Sequence, residues 1–534
     1  MSGHSIGLAT TIVAVAAAAT VLGQQPPVPA HPETARDWRQ VGSARRQAKD
    51  YDGAIAAFQT ALKLEPDAPA AMFALGAVYA AKHDTTQSLA WLTRARATRR
   101  VDMTQIEADN DLKPLLADPR VAALLPTRED FEHPFVEPVA VLREWDGEAM
   151  NDQFGWIARN IGDVDGDGVA DIVTSAPTKA IRGENAGRVY VYSTGTRRLL
   201  WSVDGRPGAQ LGTGVEGAGD TNGDGIPDVI ASAPGDGEAF VLSGKDGRVL
   251  LTLKADGKTD DFGRHAAGAG DVDGDGHADV LVGAPGTSGK ETTPGHAYVY
   301  SGKDGRRLLT LTGERAGDQF GSAVAGATVN KRTFIVVGAP TAGPTRHGRV
   351  YVYTSLEASP AFVIDADDTG NALGAMFLAV VGDVNADGVP DIYASDWSNR
   401  ARGPGTGRIY VHSGKDGRRL LTLTGETAGE GFGTSPSNAG DVDGDGHDDL
   451  IVGAWQYAGA AVSGGRAYLY SGRDGRLMKT FTCRTPGDTF GFDSVAMGDI
   501  DKDGTLDFLI TSAWSGIHHF HSGRVFIVSS GIRR

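Results

Sequence analysis

The chain has 534 residues, 74 of them glycine, with 40% hydrophobic content and a formal net charge of −16. That length exceeds one ordinary core, the hydrophobic share excludes a collagen-like or disordered chain, and the acidic balance argues against nucleic-acid binding. Glycine at about twice its usual share points to turn-rich β structure.

Residues 1–23 contain no Lys, Arg, Asp or Glu, and Ile6 to Leu22 form an apolar, Ala-rich run. This reads as a secretory signal peptide, with an uncleaved anchor as the alternative. No later stretch is long and apolar enough to span a bilayer, so the mature chain is expected to be exported without a transmembrane span, to the periplasm, cell surface or exterior. Residues 24–33 read as a proline-rich linker. The single cysteine, Cys483, has no partner for a disulfide within the chain and reads as a small buried hydrophobe on a strand.

Residues 34–125 form the next unit. Within it Trp38, Val41, Gly42, Ala54, Phe58 and Ala61 recur 34 positions later as Met72, Leu75, Gly76, Ser88, Leu92 and Ala95. This pattern resembles the tetratricopeptide repeat, a helical hairpin that buries its apolar face only against a neighbour. Two repeats therefore need a cap, which Leu112, Leu115, Leu116, Val121, Ala123 and Leu124 supply at helix-like spacing. Residues 126–137 read as a second linker.

From residue 138 to 534 a longer period takes over, roughly 50 to 60 residues. Its markers are Phe154-Gly155, Leu211-Gly212, Phe262-Gly263, Phe320-Gly321, Leu373-Gly374, Phe432-Gly433 and Phe490-Gly491. Every copy but the last holds four short period-2 runs separated by turn residues, so seven copies predict a closed seven-bladed β-propeller with four strands per blade. The last copy lacks its fourth strand, and Val139 to Trp145 forms a strand with no blade of its own. The N-terminal strand is therefore expected to complete the C-terminal blade. The fold class is multidomain, a short helical array followed by this all-β propeller.

Six of the seven copies carry a DxDxDGxxD or DxNxDGxxD loop after their first strand. The candidate ligands are Asp163, Asp165, Asp167 and Asp171 in blade 1; Asp220, Asn222, Asp224 and Asp228 in blade 2; and Asp271, Asp273, Asp275 and Asp279 in blade 3. Blades 5 to 7 add Asp383, Asn385, Asp387 and Asp391; Asp441, Asp443, Asp445 and Asp449; and Asp499, Asp501, Asp503 and Asp507. Alternate residues of a tight turn aim oxygen donors inward, as Ca²⁺ with its six to eight oxygen ligands demands, and Gly at position six allows the sharp turn. A helical EF-hand is excluded, because the loop closes at nine residues and runs into β-branched strands such as Asp279-Val-Leu-Val. Blade 4 has Ala327 to Thr333 instead and is expected to bind no metal.

These loops, with the Phe-Gly markers, resemble the FG-GAP repeats of integrin α-subunit propellers. The resemblance implies Ca²⁺, about six ions, held between the first two strands of each blade. Six divalent ions would also cancel most of the net charge of −16.

No G-x-S-x-G elbow, H-E-x-x-H helix or phosphate-binding glycine loop is present, so the chain is not expected to be an enzyme. The reading is a secreted or cell-surface calcium-binding module of adhesion type, whose propeller and helical repeats both engage a protein or glycan partner. The alternatives are a structural envelope protein and a propeller enzyme acting on extracellular glycans. A partner-binding face is expected on the loops joining strands two and three of blades 5 to 7, from Trp397, Trp455, Tyr457, Trp514, His518, His519, Phe520 and His521. The competing reading is that the tryptophans cap blades where earlier copies have Pro177, Pro234, Pro285 and Pro340.

Overall fold

A computed structural model describes residues 32–255, 261–286 and 293–533. The signal-peptide assignment, and all but the last two residues of the proline-rich linker, lie outside the described residues. Among these residues no helix is long and apolar enough to cross a membrane. The chain divides into two compact units. One comprises the described residues up to Pro134 with Thr485–Gly487 and Gly516–Phe520; the other comprises Phe135–Arg484, Asp488–Ser515 and the residues from His521 onward.

In the first unit, α1 (Ala35–Gln47) and α2 (Tyr51–Leu64) form one antiparallel hairpin, and α3 (Pro69–Ala81) and α4 (Thr85–Ala97) a second. Thr34 caps α1 through a capping box with Asp37, and Asp50 and Asp84 cap α2 and α4. A Cβ on Gly42 would lie 2.6 Å from the Phe58 ring, and one on Gly76 2.7 Å from Leu92. Glycine therefore sets the close approach within each hairpin, which explains its recurrence at a 34-residue interval. The cap differs from expectation. Residues 105–122 form not one amphipathic helix but short pieces, Gln105–Ala108, Lys113–Ala117 and Pro119–Ala122. Pro114 and Pro119 interrupt a continuous helix. Leu112, Val121 and Leu124 still bury themselves beside Met72 and Leu92, whereas Ala123 and Leu116 face solvent.

The second unit is a ring of seven four-stranded antiparallel sheets. Blade 1 consists of Ala158–Gly162, Asp171–Ala176, Arg188–Tyr192 and Leu199–Asp204, in that order from the centre. Second strands such as Asp171–Ala176 and Asp279–Ala284 are buried at every residue, because neighbouring blades cover both faces. Fourth strands such as Arg307–Thr312 are mostly exposed or half-buried, with Leu311 alone buried in that one. Phe154, Phe320 and Phe432 of the Phe-Gly markers are 0–2% exposed and meet Tyr190, Tyr351 and Tyr468 edge to face at 5.2–5.5 Å.

The last blade closes with the strand the sequence pattern assigned to it. Val141–Asp146 pairs antiparallel with Arg524–Arg533, placing Trp145 opposite Val525 and Glu144 opposite Phe526. Phe154 bridges to Gly523, just as Phe320 bridges to Gly295 and Phe490 to Gly465, so the junction of last and first blades repeats the others. Cys483 is buried, and its thiol donates to Asp488 Oδ2 at 3.4 Å.

Candidate metal centres

In blades 1, 2, 3, 6 and 7 the acidic loop begins where the first strand ends in a left-handed glycine, such as Gly162 (φ 77°) in blade 1 and Gly270 (φ 70°) in blade 3. The first aspartate then organises the turn. Asp163 Oδ1 accepts from the N–H groups of Gly166 and Asp167 at 2.7 and 3.2 Å, and its Oδ2 accepts from Gly168 at 2.8 Å. Asp271 makes the same three bonds in blade 3. The turn needs left-handed backbone at its fourth and sixth positions, which glycine supplies at little cost. At the fourth position blade 5 uses Ala386 (φ 57°) and blade 7 uses Lys502 (φ 61°). A side chain in this region costs about 1–2 kcal/mol. Lys502→Gly is accordingly expected to stabilise the propeller by about 1 kcal/mol, read from the midpoint of urea unfolding; an unchanged or lower midpoint would show that blade 7 stores no strain there.

The ninth residue of every loop is an aspartate with no exposed surface: Asp171, Asp228, Asp279, Asp391, Asp449 and Asp507. Its Oδ2 accepts from the N–H of the second loop residue, at 2.9 Å from Val164 in blade 1. In blades 1, 2, 3, 5 and 6 its Oδ1 accepts from Thr194, Gly244, Gly302, Gly414 and Gly472 in the turn between strands three and four. Blade 7 builds that region differently, and Asp507 Oδ1 is buried with no hydrogen-bond donor. Burial pushes the carboxyls of Asp171, Asp279 and Asp449 up to about 6 and those of Asp391 and Asp507 up to about 7, and neighbouring loop carboxylates add to the rise. Asp228 is raised by the same burial.

Four loops bring three carboxylates together with ligand oxygens within 4.8 Å of one another: Asp163, Asp165 and Asp171; Asp271, Asp273 and Asp279; Asp441, Asp443 and Asp445; Asp499, Asp501 and Asp507. In blades 2 and 5 the third position is Asn222 and Asn385, whose amides lie 3.3 and 3.4 Å from Asp228 and Asp391. The donor set is entirely hard oxygen, the charge is unbalanced, and two buried oxygens, Asp443 Oδ1 and Asp507 Oδ1, have no hydrogen-bond donor. Such residues fit a divalent cation such as Ca²⁺ or Mg²⁺. The nearest protein cations are half-exposed side chains, Arg306 at 3.2 Å from Asp273, and Lys303 and Arg476 at 3.5 Å from Asp275 and Asp443. Blade 4 has none of this apparatus: Val324–Val329 and Arg332–Ala339 join through Asn330 and Lys331, both left-handed, in a two-residue hairpin.

The residues expected on a partner-binding face differ in burial and are divided between the two compact units. Trp455 and Trp514 are 9% and 3% exposed and stack with centroids 5.0 Å apart. Phe492 stands edge-on to both, and Trp156 lies 5.7 Å from Trp514. These two side chains are therefore packed in an aromatic interior rather than exposed. Trp397 is half-buried, and Tyr457 is half-buried under the Arg466 guanidinium at 3.7 Å. His518 and His519 are exposed, and with Phe520 they belong to the first compact unit. There His519 Nδ1 lies 3.1 Å from Glu107 Oε1, and the Phe520 N–H donates to Glu107 Oε2 at 2.8 Å. His521 is half-buried, its imidazole pushed down to about 3 by burial.

One polar cluster carries no signal in the sequence. A cavity of about 540 Å³ is lined by first strands of the propeller. Inside it Arg159 donates to Glu216 Oε2 at 2.7 Å and pairs with the buried Asp493. Burial pushes the nearby His265 down to about 4. These groups come from blades 1, 2, 3 and 7, and no local motif unites them.

Comparison with known proteins agrees with this architecture. Residues 154–192 and 262–300 match the FG-GAP repeat, residues 383–452 and 441–510 an FG-GAP-like repeat, and residues 42–82 a TPR repeat. The chain is 28% identical to integrin alpha-5 of Xenopus laevis over 257 residues, 44% of this chain and 24% of that protein. It is 31% identical to integrin alpha pat-2 of Caenorhabditis elegans over 232 residues, 37% and 18% of the two chains. It is 34% identical to integrin alpha-6 of Homo sapiens over 151 residues, 26% and 13%. The match thus spans about a quarter or less of these relatives.

Proposed function

We propose that this chain, an integrin-alpha-like FG-GAP propeller with a tetratricopeptide repeat ahead of it, is an exported interaction module whose propeller is held in its working form by Ca²⁺. The observation that carries this reading is the recurrence of the acidic loop in six blades, each ending in a fully buried carboxylate whose ionised form burial disfavours. Residues that would hold the ions are the aspartates and asparagines at positions one, three, five and nine of each loop. Oxygen-only donors on a flexible hairpin suit Ca²⁺ better than Mg²⁺, which demands near-ideal octahedral geometry. The ion's contribution is electrostatic, balancing carboxylates that the chain has brought close together. The partner is a protein or glycan, approached through the propeller surface and the helical repeats. Integrin-like propellers and tetratricopeptide arrays are both interaction scaffolds, an argument by analogy of fold.

Calorimetric titration of the full chain is expected to give about six Ca²⁺ ions, with dissociation constants on the order of 10⁻⁴ to 10⁻³ M. Asp271→Ala is expected to remove the blade 3 site, while substitution of Lys331 in blade 4 leaves the stoichiometry unchanged. A stoichiometry of two or fewer would overturn the calcium reading. For the partner, capture from cell-surface and extracellular fractions in Ca²⁺ and again after chelation provides the test, with calcium-dependent retention of a discrete partner expected.

A further inference from the structure

The six loops are not equivalent, and their differences recur in a pattern. Blades 2 and 5 have Asn at position three, Asn222 and Asn385, and Pro at position eight, Pro227 and Pro390. The blades that follow them, 3 and 6, have Asp at position three and His at position seven, His277 and His447. Each histidine reaches back to the preceding blade. His277 Nδ1 lies 2.8 Å from the carbonyl oxygen of Thr221, and His447 Nδ1 lies 2.8 Å from that of Val384, so in each ring Nδ1 carries the proton and donates it. The next residue reinforces the link. The Ala278 N–H donates to the Asp220 carbonyl at 2.9 Å, and the Asp448 N–H to the Asp383 carbonyl at 3.1 Å. Asp448 Oδ2 also accepts from the Asp383 N–H at 3.0 Å.

The first two residues of each asparagine-bearing loop therefore hang on the loop next door. The route is short and continuous. Asp275 Oδ1 accepts from the His277 N–H at 3.0 Å, His277 holds Thr221, and Thr221 lies between the ligands Asp220 and Asn222. Asp445, His447 and Val384 repeat it between blades 6 and 5. Blades 1 and 2 cannot be joined in this way, because Pro227 has no N–H and Ile226 no side-chain donor. Blade 4, which precedes blade 5, has no acidic loop.

We infer that His277 and His447 are positioning residues that couple the metal loops into two pairs, blade 2 with 3 and blade 5 with 6, while the loops of blades 1 and 7 act alone. This rests on the calcium reading above. An asparagine-bearing loop offers three carboxylates against four, and affinity follows ligand charge. Filling the four-carboxylate loop fixes its positions five to nine, and through them the first ligand of the weaker neighbour. The weaker loop then binds with part of its ordering cost already met. Coupling between binding sites is reciprocal, so the weaker site strengthens the stronger one by the same factor.

Ca²⁺ titration of the full chain, with melting curves to confirm folding, tests the pairing. Asp165→Ala in blade 1 is expected to remove one site and leave the other five at their original affinities. Asp273→Ala in blade 3 is expected to remove one site and weaken a second by about fivefold or more. His277→Leu keeps all six sites and weakens the blade 2 and 3 pair, and His277→Asn, whose amide N–H can occupy the place of Nδ1–H, restores it. His447→Leu does the same for blades 5 and 6. If Asp273→Ala leaves five unperturbed sites, the coupling is refuted and the calcium reading stands. If the wild-type chain binds no Ca²⁺, both fall together. Should His277→Leu fail to fold, the contrast between Asp273→Ala and Asp165→Ala still decides the question.

Discussion

Removing calcium from the purified chain is expected to destabilise the propeller by an amount comparable to a domain's entire stability, and the loss is expected to grow as pH rises from about 4 to 7. With about 1 mM free Ca²⁺ and a dissociation constant near 0.1 mM, one site contributes about 1.4 kcal/mol, and six contribute on the order of 8 kcal/mol. The pH dependence follows from the ninth-position aspartates. Their carboxyls titrate near 3.8 when unfolded, but near 6 for Asp171, Asp279 and Asp449 and near 7 for Asp391 and Asp507 in the metal-free fold. A raised acid keeps its proton longer in the folded state. Its stabilising contribution is full below about 4 and is lost as pH climbs through 6 to 7. A bound cation favours the ionised form and reverses the sign, so the calcium-loaded protein loses stability as pH falls. Melting curves of the dialysed chain with and without 1 mM Ca²⁺ across pH 4 to 8 would reveal diverging temperatures. Coincident curves at pH 7.5 would remove the basis for a structural calcium role.

The second large effect concerns the closing strand. Deleting residues 139–146 is expected to abolish the closed ring and drive the protein into aggregates. The deletion removes the partner of Arg524–Arg533 and bares a strand edge, a template for intermolecular pairing. It also strips two counter-charges from Arg524, which is 1% exposed and lies 2.7 Å from Glu144 and 3.7 Å from Asp146. Breaking a buried ion pair costs up to about 3–5 kcal/mol, an upper bound here because the buried Asp488 stays beside Arg524. Loss of the buried Trp145 adds about 1.5–3 kcal/mol. Size-exclusion chromatography and thermal melting provide the readout, and a synthetic peptide of residues 138–147 supplied in trans is expected to restore monomer in part. A truncated chain that stays monomeric with an unchanged melting temperature would mean that the ring is held by its other junctions.

Much of this structure was legible because it is repetitive. Seven markers in register, five Phe-Gly and two Leu-Gly, announced seven blades, and a fourth strand missing at one end and unclaimed at the other announced the closure. The acidic loops were legible because each is complete within nine residues. What stayed hidden depends on distance or on which side of a surface a residue meets. Trp455 and Trp514 occupy loop positions that in isolation promise exposure, yet they find each other and Phe492 in the interior. The helical cap has apolar residues at the right spacing, but Pro114 and Pro119 break the helix that spacing predicts. The Arg159, Glu216 and Asp493 cluster and the histidine links between loops exist only once blades are placed side by side.

The closing strand also imposes an order of events on the newly made chain. Glu144 and Arg524 stand 380 residues apart in sequence, so the strand that completes the last blade is made long before the strands it joins. At roughly 5–20 residues per second of synthesis, it waits about 20–80 seconds without its partner. Every earlier blade can assemble from neighbouring segments, but this one requires both extremes of the propeller to be present at once. A chain cut short before Arg524–Arg533 cannot close, however well its first six blades have formed. Ring closure thereby acts as a completeness check, separating finished chains from fragments and leaving the fragments with an open edge exposed to proteolysis.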